Sequence, residues 1–266
     1  MVKIHVVSNS SEVQDDLAAL PVRRIGIEDL KDALREGFDD FWAMPSQVFF
    51  LIVLYPIIGL FLARFMFGYR LFPLLFPVVS GFALVGPFAA LALYELSRRR
   101  ERGLPTSLRY ATDVFVSPAI GSILVLGLML AGIFLVWVGV AETLYLSLFG
   151  KSTADSMLPF LREVLTTREG WLLILIGNAI GFAFSALAFC LSIVSFPLLL
   201  DRHVSIGTAI RTSFKVVATN PRTMLVWALI VAFGLFLGFL PAMVGLAVAL
   251  PVLGHATWHL YRKVVV

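Results

Sequence analysis

The sequence predicts an all-α polytopic membrane protein with six transmembrane helices, arranged as three helical hairpins that each follow an amphipathic interfacial helix. Its composition, its long apolar runs and a repeated segment support this prediction. Of the 266 residues, 59% are hydrophobic and 14% are charged, whereas soluble domains are about 25% charged. Because so few charges cannot solvate the surface of a globule, most of this chain must face lipid.

The N-terminus precedes the apolar runs and has a different composition. Its first twenty residues lack a basic region followed by a continuous apolar stretch, so no cleaved signal peptide is expected. Residues 1–22 are predicted to be a disordered cytoplasmic tail, and residues 23–266 an integral membrane domain. The single cysteine, Cys190, lies in an apolar run, which excludes an internal disulfide or a cluster of metal-binding thiolates.

Six apolar runs are long enough to cross a hydrocarbon core of about 30 Å. They cover about 47–66, 73–96, from just after Pro118 to about Leu144, 171–200, 223–240 and 242–261. The segment from Gly150 to Gly170 balances its acids and bases, and it is expected on the outer side. The length of the chain is therefore accounted for by spans rather than by soluble domains.

Basic residues predict the orientation of these spans. The connection after the second span contains five arginines against Glu101, namely Arg98, Arg99, Arg100, Arg102 and Arg109. The connection after the fourth span holds Arg202, Arg211, Lys215 and Arg222 against Asp201. Positive residues favour the cytoplasmic side, so both connections and both termini are expected there. The net charge of +4 is explained by this orientation, and no nucleic-acid partner is expected.

One segment occurs twice. "ALREGFDDFWAMP" at 33–45 and "AIRTSFKVVATNP" at 209–221 share the spacing of four residues: Ala33, Gly37, Phe38 and Pro45 match Ala209, Ser213, Phe214 and Pro221. A degenerate third copy at 104–118 keeps an apolar stripe and a proline. Each copy precedes a pair of spans, which predicts repeat units at 26–100, 104–202 and 205–264.

Each copy also has the period of an amphipathic helix. The predicted apolar faces consist of Ile27, Leu30, Leu34, Phe38 and Phe41 in the first copy and of Ile206, Ile210, Phe214 and Val217 in the last. The predicted polar faces consist of Glu28, Asp29, Asp32, Arg35, Glu36, Asp39 and Asp40, and of Arg211 and Lys215. Such a helix lies at the bilayer surface or packs across the cytoplasmic ends of the spans.

Polar groups inside spans are candidate sites, because a central charge costs about 2.5 to 3.5 kcal/mol. Glu142 lies near the outer end of the third span. One interpretation is a site for a proton or a cation. The other, which the pattern favours, is an interfacial carboxylate in contact with water. Asn178 lies deeper, between Gly177 and Gly181. Such an asparagine more often hydrogen bonds to a neighbouring helix than lines a pore.

His255 and His259 are four residues apart on one helical face, a spacing that could present two imidazoles to a metal or a haem. The chain has only four histidines, so a complete ligand set would need other donors. Contact with lipid headgroups is the favoured interpretation, and no cofactor is expected. Glu95, which precedes the arginine run, is expected to form an ion pair at the membrane boundary.

Four segments resemble predicted integral membrane proteins grouped as domain of unknown function 2189. They are "ALREGFDDFWAMP", "GPFAALALYELSRRRERGLP", "FPLLLDRHVSIGTAIRTSF" and "NPRTMLVWALIVAFG", and the resemblance extends over about residues 22–262. It implies a six-span bacterial inner-membrane protein without an assigned activity. Some members are labelled as related to cytochrome c oxidase subunit I. Such a subunit needs six histidines in its spans, so any oxidase link of this chain would be accessory.

Phosphate-binding and nucleophile-elbow motifs are absent from the sequence, and no enzyme activity is expected. The favoured interpretation is a scaffold, accessory or assembly partner that acts through contacts with the bilayer, a membrane protein or a second copy. Its expected docking or headgroup-binding residues are the polar face at 28–40 and Arg98, Arg99, Arg100, Arg102, Arg211 and Lys215. One alternative is a solute or ion transporter with a site near Asn178 and Glu142. A weaker alternative is haem or metal handling at His255 and His259, linked to a respiratory oxidase.

Overall fold

A computed structural model describes residues 18–44, 77, 86–150, 157–202, 204–240 and 245–266 of the chain. Within these ranges every regular element is a helix, apart from an isolated antiparallel bridge between Val22 and Val265. The helices are α1 Ile27–Ala43, a short turn Gly86–Ala89, α2 Leu91–Glu101, a 3-10 helix Leu108–Val116, α3 Ile120–Phe149, α4 Met157–Thr166, α5 Arg168–Ser192, α6 Ser195–Arg202, α7 Ile206–Thr219, α8 Pro221–Phe239 and α9 Leu246–Val264.

In the part of the chain that the structure describes, three helical segments are long and apolar enough to cross a membrane: Ile120–Phe149, Arg168–Arg202 and Pro221–Phe239. They coincide with the predicted third, fourth and fifth spans. The first predicted span and half of the second lie outside the described residues. The predicted sixth span is α9, which is not one of the three membrane candidates in the described part of the chain. For the described residues, the prediction of an all-helical chain is confirmed, while the count of six spans and the hairpin arrangement stay predictions.

Helix α9 is the centre of the packing. Helix α1 lies along it, and α2 and α8 also contact it. Its side chains His255, Trp258 and Tyr261 are fully buried. Because α2, α6 and α9 finish close together and carry ionised residues there, we call this end of the bundle the charged end.

Three segments each precede a predicted pair of spans: α1, the 3-10 helix and α7. Each of them packs against a helix that lies at the end of a predicted span pair. The 3-10 helix contacts α2, α7 contacts α5 and α6, and α1 contacts α9. Two of these partners belong to the preceding predicted unit, whereas α1 of the first unit packs on α9 of the last. The repeat units themselves stay a prediction.

The buried face of α1 differs from the predicted apolar face. Leu30 and Phe41 are buried as expected, but Ile27 and Phe38 are 47% and 45% exposed. The rest of the buried face is Ala33, Gly37 and Asp40. Small residues allow close helix contact, so packing against α9 selects them over larger apolar residues. The assignment of Asp40 to the outer polar face is therefore wrong.

In helix α7, too, the buried face differs from the predicted apolar face. Its buried residues are Thr208, Ala209, Thr212, Ser213 and Val216, whereas Phe214 is 41% exposed. At the break between α5 and α6, the Val194 backbone N–H donates to the Ser213 Oγ at 3.5 Å, and the Ser195 Oγ donates to the Ala209 carbonyl at 3.1 Å. The first bond supplies a partner for a backbone N–H that the helix break leaves free, and the second joins α6 to α7.

The segment before α1 is tied to α7 and to the C-terminus. The Arg23 N–H donates to the Val264 carbonyl at 2.9 Å, and the Ile25 N–H donates to Asn220 Oδ1 at 2.9 Å. The Leu20 N–H donates to Thr212 Oγ1 at 3.0 Å. The start of α1 is thus held in place by hydrogen bonds on both sides.

Candidate functional site

A buried carboxylate joins three helices at the charged end. Asp40 of α1 is only 3% exposed. Its Oδ2 accepts a hydrogen bond from Ser97 Oγ of α2 at 2.5 Å and one from His259 Nε2 of α9 at 2.9 Å. The Arg100 guanidinium, on α2, donates to Oδ1. We call Asp40, Ser97, Arg100, His255 and His259 the Asp40 cluster.

These contacts determine the charge of Asp40. Burial raises the pKa of its carboxyl, because a charge is poorly solvated inside a protein. Hydrogen bonds from His259, Ser97 and Arg100 outweigh burial and lower the pKa from 3.8 to about 2. Asp40 is therefore an anion at neutral pH.

Ser97 links Asp40 to His255. The ionised carboxylate can only accept, so the single hydroxyl hydrogen of Ser97 goes to Asp40. His255 Nδ1 lies 2.7 Å from the same Ser97 Oγ and must donate to it. In a hydrolytic triad the serine gives its proton to histidine, whereas here the direction is reversed and His255 is fully buried. The arrangement fastens helices and does not present a nucleophile.

His259 bridges two acidic residues of α1. Its Nε2 lies 2.9 Å from Asp40 Oδ2, and its Nδ1 lies 3.2 Å from Glu36 Oε2. Both contacts are hydrogen bonds only when both ring nitrogens carry hydrogen. Lys263 extends this row, with Nζ 2.9 Å from Glu36 Oε1. These polar contacts join α1 and α9 over about one helical turn.

The histidine pair lies on one side of α9, as the spacing predicts, and contacts protein groups through His255 Nδ1 and both ring nitrogens of His259. His255 contacts Ser97, and His259 contacts Asp40 and Glu36. A metal ligand needs a free nitrogen lone pair. Within the described ranges no group of three or more His, Cys, Asp or Glu residues is placed to hold a metal ion.

A second polar cluster surrounds Asp201, at the end of α6. Tyr261 donates its hydroxyl to Asp201 Oδ2 at 2.8 Å, and Arg262 reaches the same oxygen at 3.2 Å. Arg102 donates to Oδ1 at 2.9 Å. Glu101 accepts from Arg262 at 3.0 Å. This cluster ties α2, α6 and α9 together beside the Asp40 cluster.

The arginine run predicted to dock a partner or lipid headgroups forms intramolecular ion pairs. Arg98 pairs with Glu95, Arg99 with Asp113, Arg100 with Asp40 and Arg102 with Asp201. The Arg98 and Arg99 side chains are only 20% and 15% exposed. The expected ion pair of Glu95 is therefore present, while its place at a membrane boundary stays a prediction. Arg211 and Lys215 lie on the exposed side of α7, where Lys215 Nζ donates to the Leu20 carbonyl at 3.0 Å.

The two polar residues predicted within spans lie on the outside of their helices. Glu142 of α3 and Asn178 of α5 are both exposed. Asn178 Nδ2 donates to the Ile174 carbonyl of its own helix at 2.7 Å, instead of to a neighbouring helix. A shallow groove on α3 is lined by Val136, Gly139, Val140, Thr143, Leu144 and Ser147. Neither Glu142 nor Asn178 lines that groove.

The sequence pattern does not predict Asp40 and Ser97 as site residues. A signal for Asp40 is present, because it follows Ala33 by seven residues and Gly37 by three. These steps place all three residues on one helical face. Ser97 carries no such signal, since its role depends on contacts with residues 57 and 158 positions away.

Comparison with known proteins supports the family resemblance. Residues 74–201 match the family described as a predicted integral membrane protein (DUF2189). No curated protein matches, and no solved structure matches. The match is shorter than the predicted extent of 22–262. It includes Ser97 and Arg100, whereas Asp40, His255 and His259 lie outside it.

Proposed function

We propose that this chain, whose residues 74–201 match the predicted integral membrane proteins of DUF2189, is a non-catalytic docking platform in a bacterial inner membrane. It would cross the bilayer six times, with both termini in the cytoplasm. Its task would be to hold a membrane-associated partner protein, as a scaffold or an accessory subunit. The basic residues at the charged end support this orientation, since positive residues favour the cytoplasmic side.

The observation that carries the proposal is a rigidly held acidic face on α1. Glu28, Asp32 and Asp39 are exposed on the side of α1 that points away from α9. Asp32 and Asp39 form no ion pair within the described part of the chain. The Asp40 cluster fixes α1 on α9, so these carboxylates are held in place. A fixed charge array loses little entropy on binding.

The charge of this face favours a protein over a lipid surface. The cytoplasmic leaflet of a membrane is negatively charged, and it repels carboxylates. A partner with a basic surface is attracted to them instead. About a quarter turn round the helix lie Phe38 and Trp42, which is 72% exposed. Aromatic rings favour the headgroup region, so they would hold α1 at the membrane while the acidic face points to the cytoplasm.

Site-specific crosslinking in native membranes tests the proposal. A photoreactive residue at Arg35, which is exposed on α1 between Asp32 and Asp39, is expected to capture one discrete partner. The double substitution Asp32→Lys with Asp39→Lys should abolish the capture. The matched control reverses two exposed acids remote from α1, Glu163→Lys with Glu169→Lys, and should leave capture intact. Higher salt should weaken the interaction. Equal capture by both double variants would reject the acidic face as the docking surface.

Two further measurements on the purified protein separate this function from its alternatives. A Soret absorption band that disappears in His255→Ala would replace the proposal with haem handling. Solute uptake into protein-containing vesicles that depends on Asn178 would replace it with transport. A colourless protein without uptake, whose crosslink depends on Asp32 and Asp39, supports docking.

A further inference from the structure

The connection between α3 and α5 contains a helix that the sequence pattern does not predict. The segment 150–170 is expected to be a short outer connection, but α4 occupies Met157–Thr166 within it. Helix α3 runs for 30 residues from the charged end, and α5 returns toward that end. Helix α4 therefore lies at the opposite end of the bundle.

Close contacts fix α4 against its neighbours. Thr167, the first residue after it, accepts a hydrogen bond at Oγ1 from the Gly170 N–H at 3.0 Å and caps α5. A Cβ on Gly170 would lie 2.1 Å from the Val164 carbonyl oxygen, so only glycine permits this turn. On the α3 side, the rings of Phe160 and Tyr145 are 6.2 Å apart. The helix is held in one orientation.

That orientation leaves an apolar face uncovered. Leu158, Leu161 and Leu165 are 80%, 44% and 56% exposed. At about 100° per residue these leucines fall within an arc of about 60°, and Glu163 lies on nearly the opposite side of the helix. Phe160 and Val164 lie between the two faces, toward the bundle. Helix α4 thus has a protein side, flanked by an apolar face and a polar face.

Helix α5, which contacts α4, also has exposed apolar residues. Trp171, Leu175 and Phe182 are 52%, 65% and 69% exposed and follow one another at intervals of four and seven residues. They therefore form a stripe along one side of a helix that is apolar enough to span a membrane. The tryptophan lies at the end of the stripe nearest α4, and tryptophan is enriched where a membrane meets water.

We propose that α4 is an interfacial helix whose occupant is the bilayer surface itself. It lies in the headgroup region at the end of the bundle opposite the charged end. Leu158, Leu161 and Leu165 insert among the acyl chains, and Glu163 faces water. Amphipathic helices of this kind bind a membrane by burying their apolar face in it. This assignment is independent of the docking function, which concerns α1 at the other end.

Quenching of attached fluorophores tests this geometry in the full-length protein. In a Cys190→Ala background, Leu161→Cys and Glu163→Cys each receive the same environment-sensitive dye and are reconstituted into phosphatidylcholine–phosphatidylglycerol vesicles. The two positions lie about 160° apart on one helical turn, so they form a matched pair. Brominated lipid should quench the dye at residue 161 several-fold more than the dye at residue 163. Iodide in the buffer should show the reverse order.

Leu158→Cys repeats the measurement one turn earlier, should the dye at residue 161 disturb folding. Equal quenching of both faces by iodide would overturn the proposal, because α4 would then be surrounded by water. Protection of the leucine positions from both quenchers would also overturn it, because a protein would then cover the face. Elution of each labelled variant like the wild-type protein in detergent confirms that a folded protein is measured.

Discussion

Gly37 of α1 and Ala256 of α9 are in contact through their backbones. A Cβ on Gly37 would lie 2.5 Å from the Ala256 backbone nitrogen, a distance at which atoms overlap. This close approach brings the short side chain of Asp40, one turn along α1, within hydrogen-bonding distance of His259. The small residues of α1 and its polar cluster are therefore two parts of one helix contact.

The substitution Gly37→Ala should separate α1 from α9. Its methyl group meets the backbone nitrogen and Cα of Ala256, which cannot move without moving α9. Overpacking of this kind costs about 1 to 3 kcal/mol. Thermal unfolding in a mild detergent is expected to show a correspondingly lower midpoint temperature.

Two companion variants make this measurement specific. Ala256→Gly should not rescue Gly37→Ala, since the clash involves backbone atoms. Gly132→Ala on α3 meets open space and should leave the midpoint unchanged or raise it, because alanine favours helix over glycine. An unchanged midpoint in Gly37→Ala would show that α1 does not pack on α9 this closely.

Acid should weaken the same contact through Asp40. The pKa of this carboxyl is about 2 in the folded protein and 3.8 ordinarily. A carboxylate with a lowered pKa stabilises the fold above its ordinary pKa, and this contribution is lost as pH falls through the folded value. The cluster is therefore expected to lose about 2 kcal/mol between about pH 4 and pH 2.

Comparison with Asp40→Asn isolates this loss from the titration of other acids. The variant should be less stable than the wild type at pH 6, because Arg100 and His259 lose a charged acceptor. The difference in unfolding midpoint between the two proteins should shrink as pH falls from 4 to 2. A constant difference over that range would contradict the ionised state of Asp40.

Ser97→Ala should remove the link between Asp40 and His255. Both partners are buried and would each lose a hydrogen bond, at a cost of about 1 to 3 kcal/mol. Ser147→Ala is the matched control, because Ser147 is exposed and its hydroxyl donates to the Leu144 carbonyl of its own helix. Its unfolding midpoint should be nearly that of the wild type.

A double-mutant cycle shows whether Ser97 acts through Asp40. In the Asp40→Asn background, Ser97→Ala should cost less than in the wild type, since contacting residues are energetically coupled. Additive costs would mean that Ser97 stabilises the fold independently of the carboxylate.

Long apolar runs account for the helices that the sequence predicts well. Helices α3 and α8 begin and end within a few residues of their predicted spans, because about 20 apolar residues favour one structure in lipid. Helix α4 escapes this signal, since its ten residues mix leucine with Arg162 and Glu163. For α1, hydrophobicity predicts that Ile27 and Phe38 are buried and that Gly37 is not. Close packing against α9 instead buries Gly37 and leaves Ile27 and Phe38 exposed.

The candidate site shows a different limit. The spacing of His255 and His259 places them correctly on one face of α9, because both lie in one helix. Their partners come from elsewhere in the chain: Asp40 is 219 positions from His259. Period and composition within one segment hold no information about such contacts, which depend on how the helices pack.

Asn178→Leu tests whether the polar residue of the fourth predicted span is needed for the fold. Its side chain is exposed, and its hydrogen bond goes to the Ile174 carbonyl, within α5. Removal of such a local bond leaves no other element without a partner, so the free energy of unfolding should change by less than about 0.5 kcal/mol. Gly181→Leu on the same helix is the contrasting variant, because its Cβ would lie 3.1 Å from the Trp137 ring of α3. A large loss of stability in Asn178→Leu would show that Asn178 hydrogen bonds to another helix, as the sequence pattern predicts.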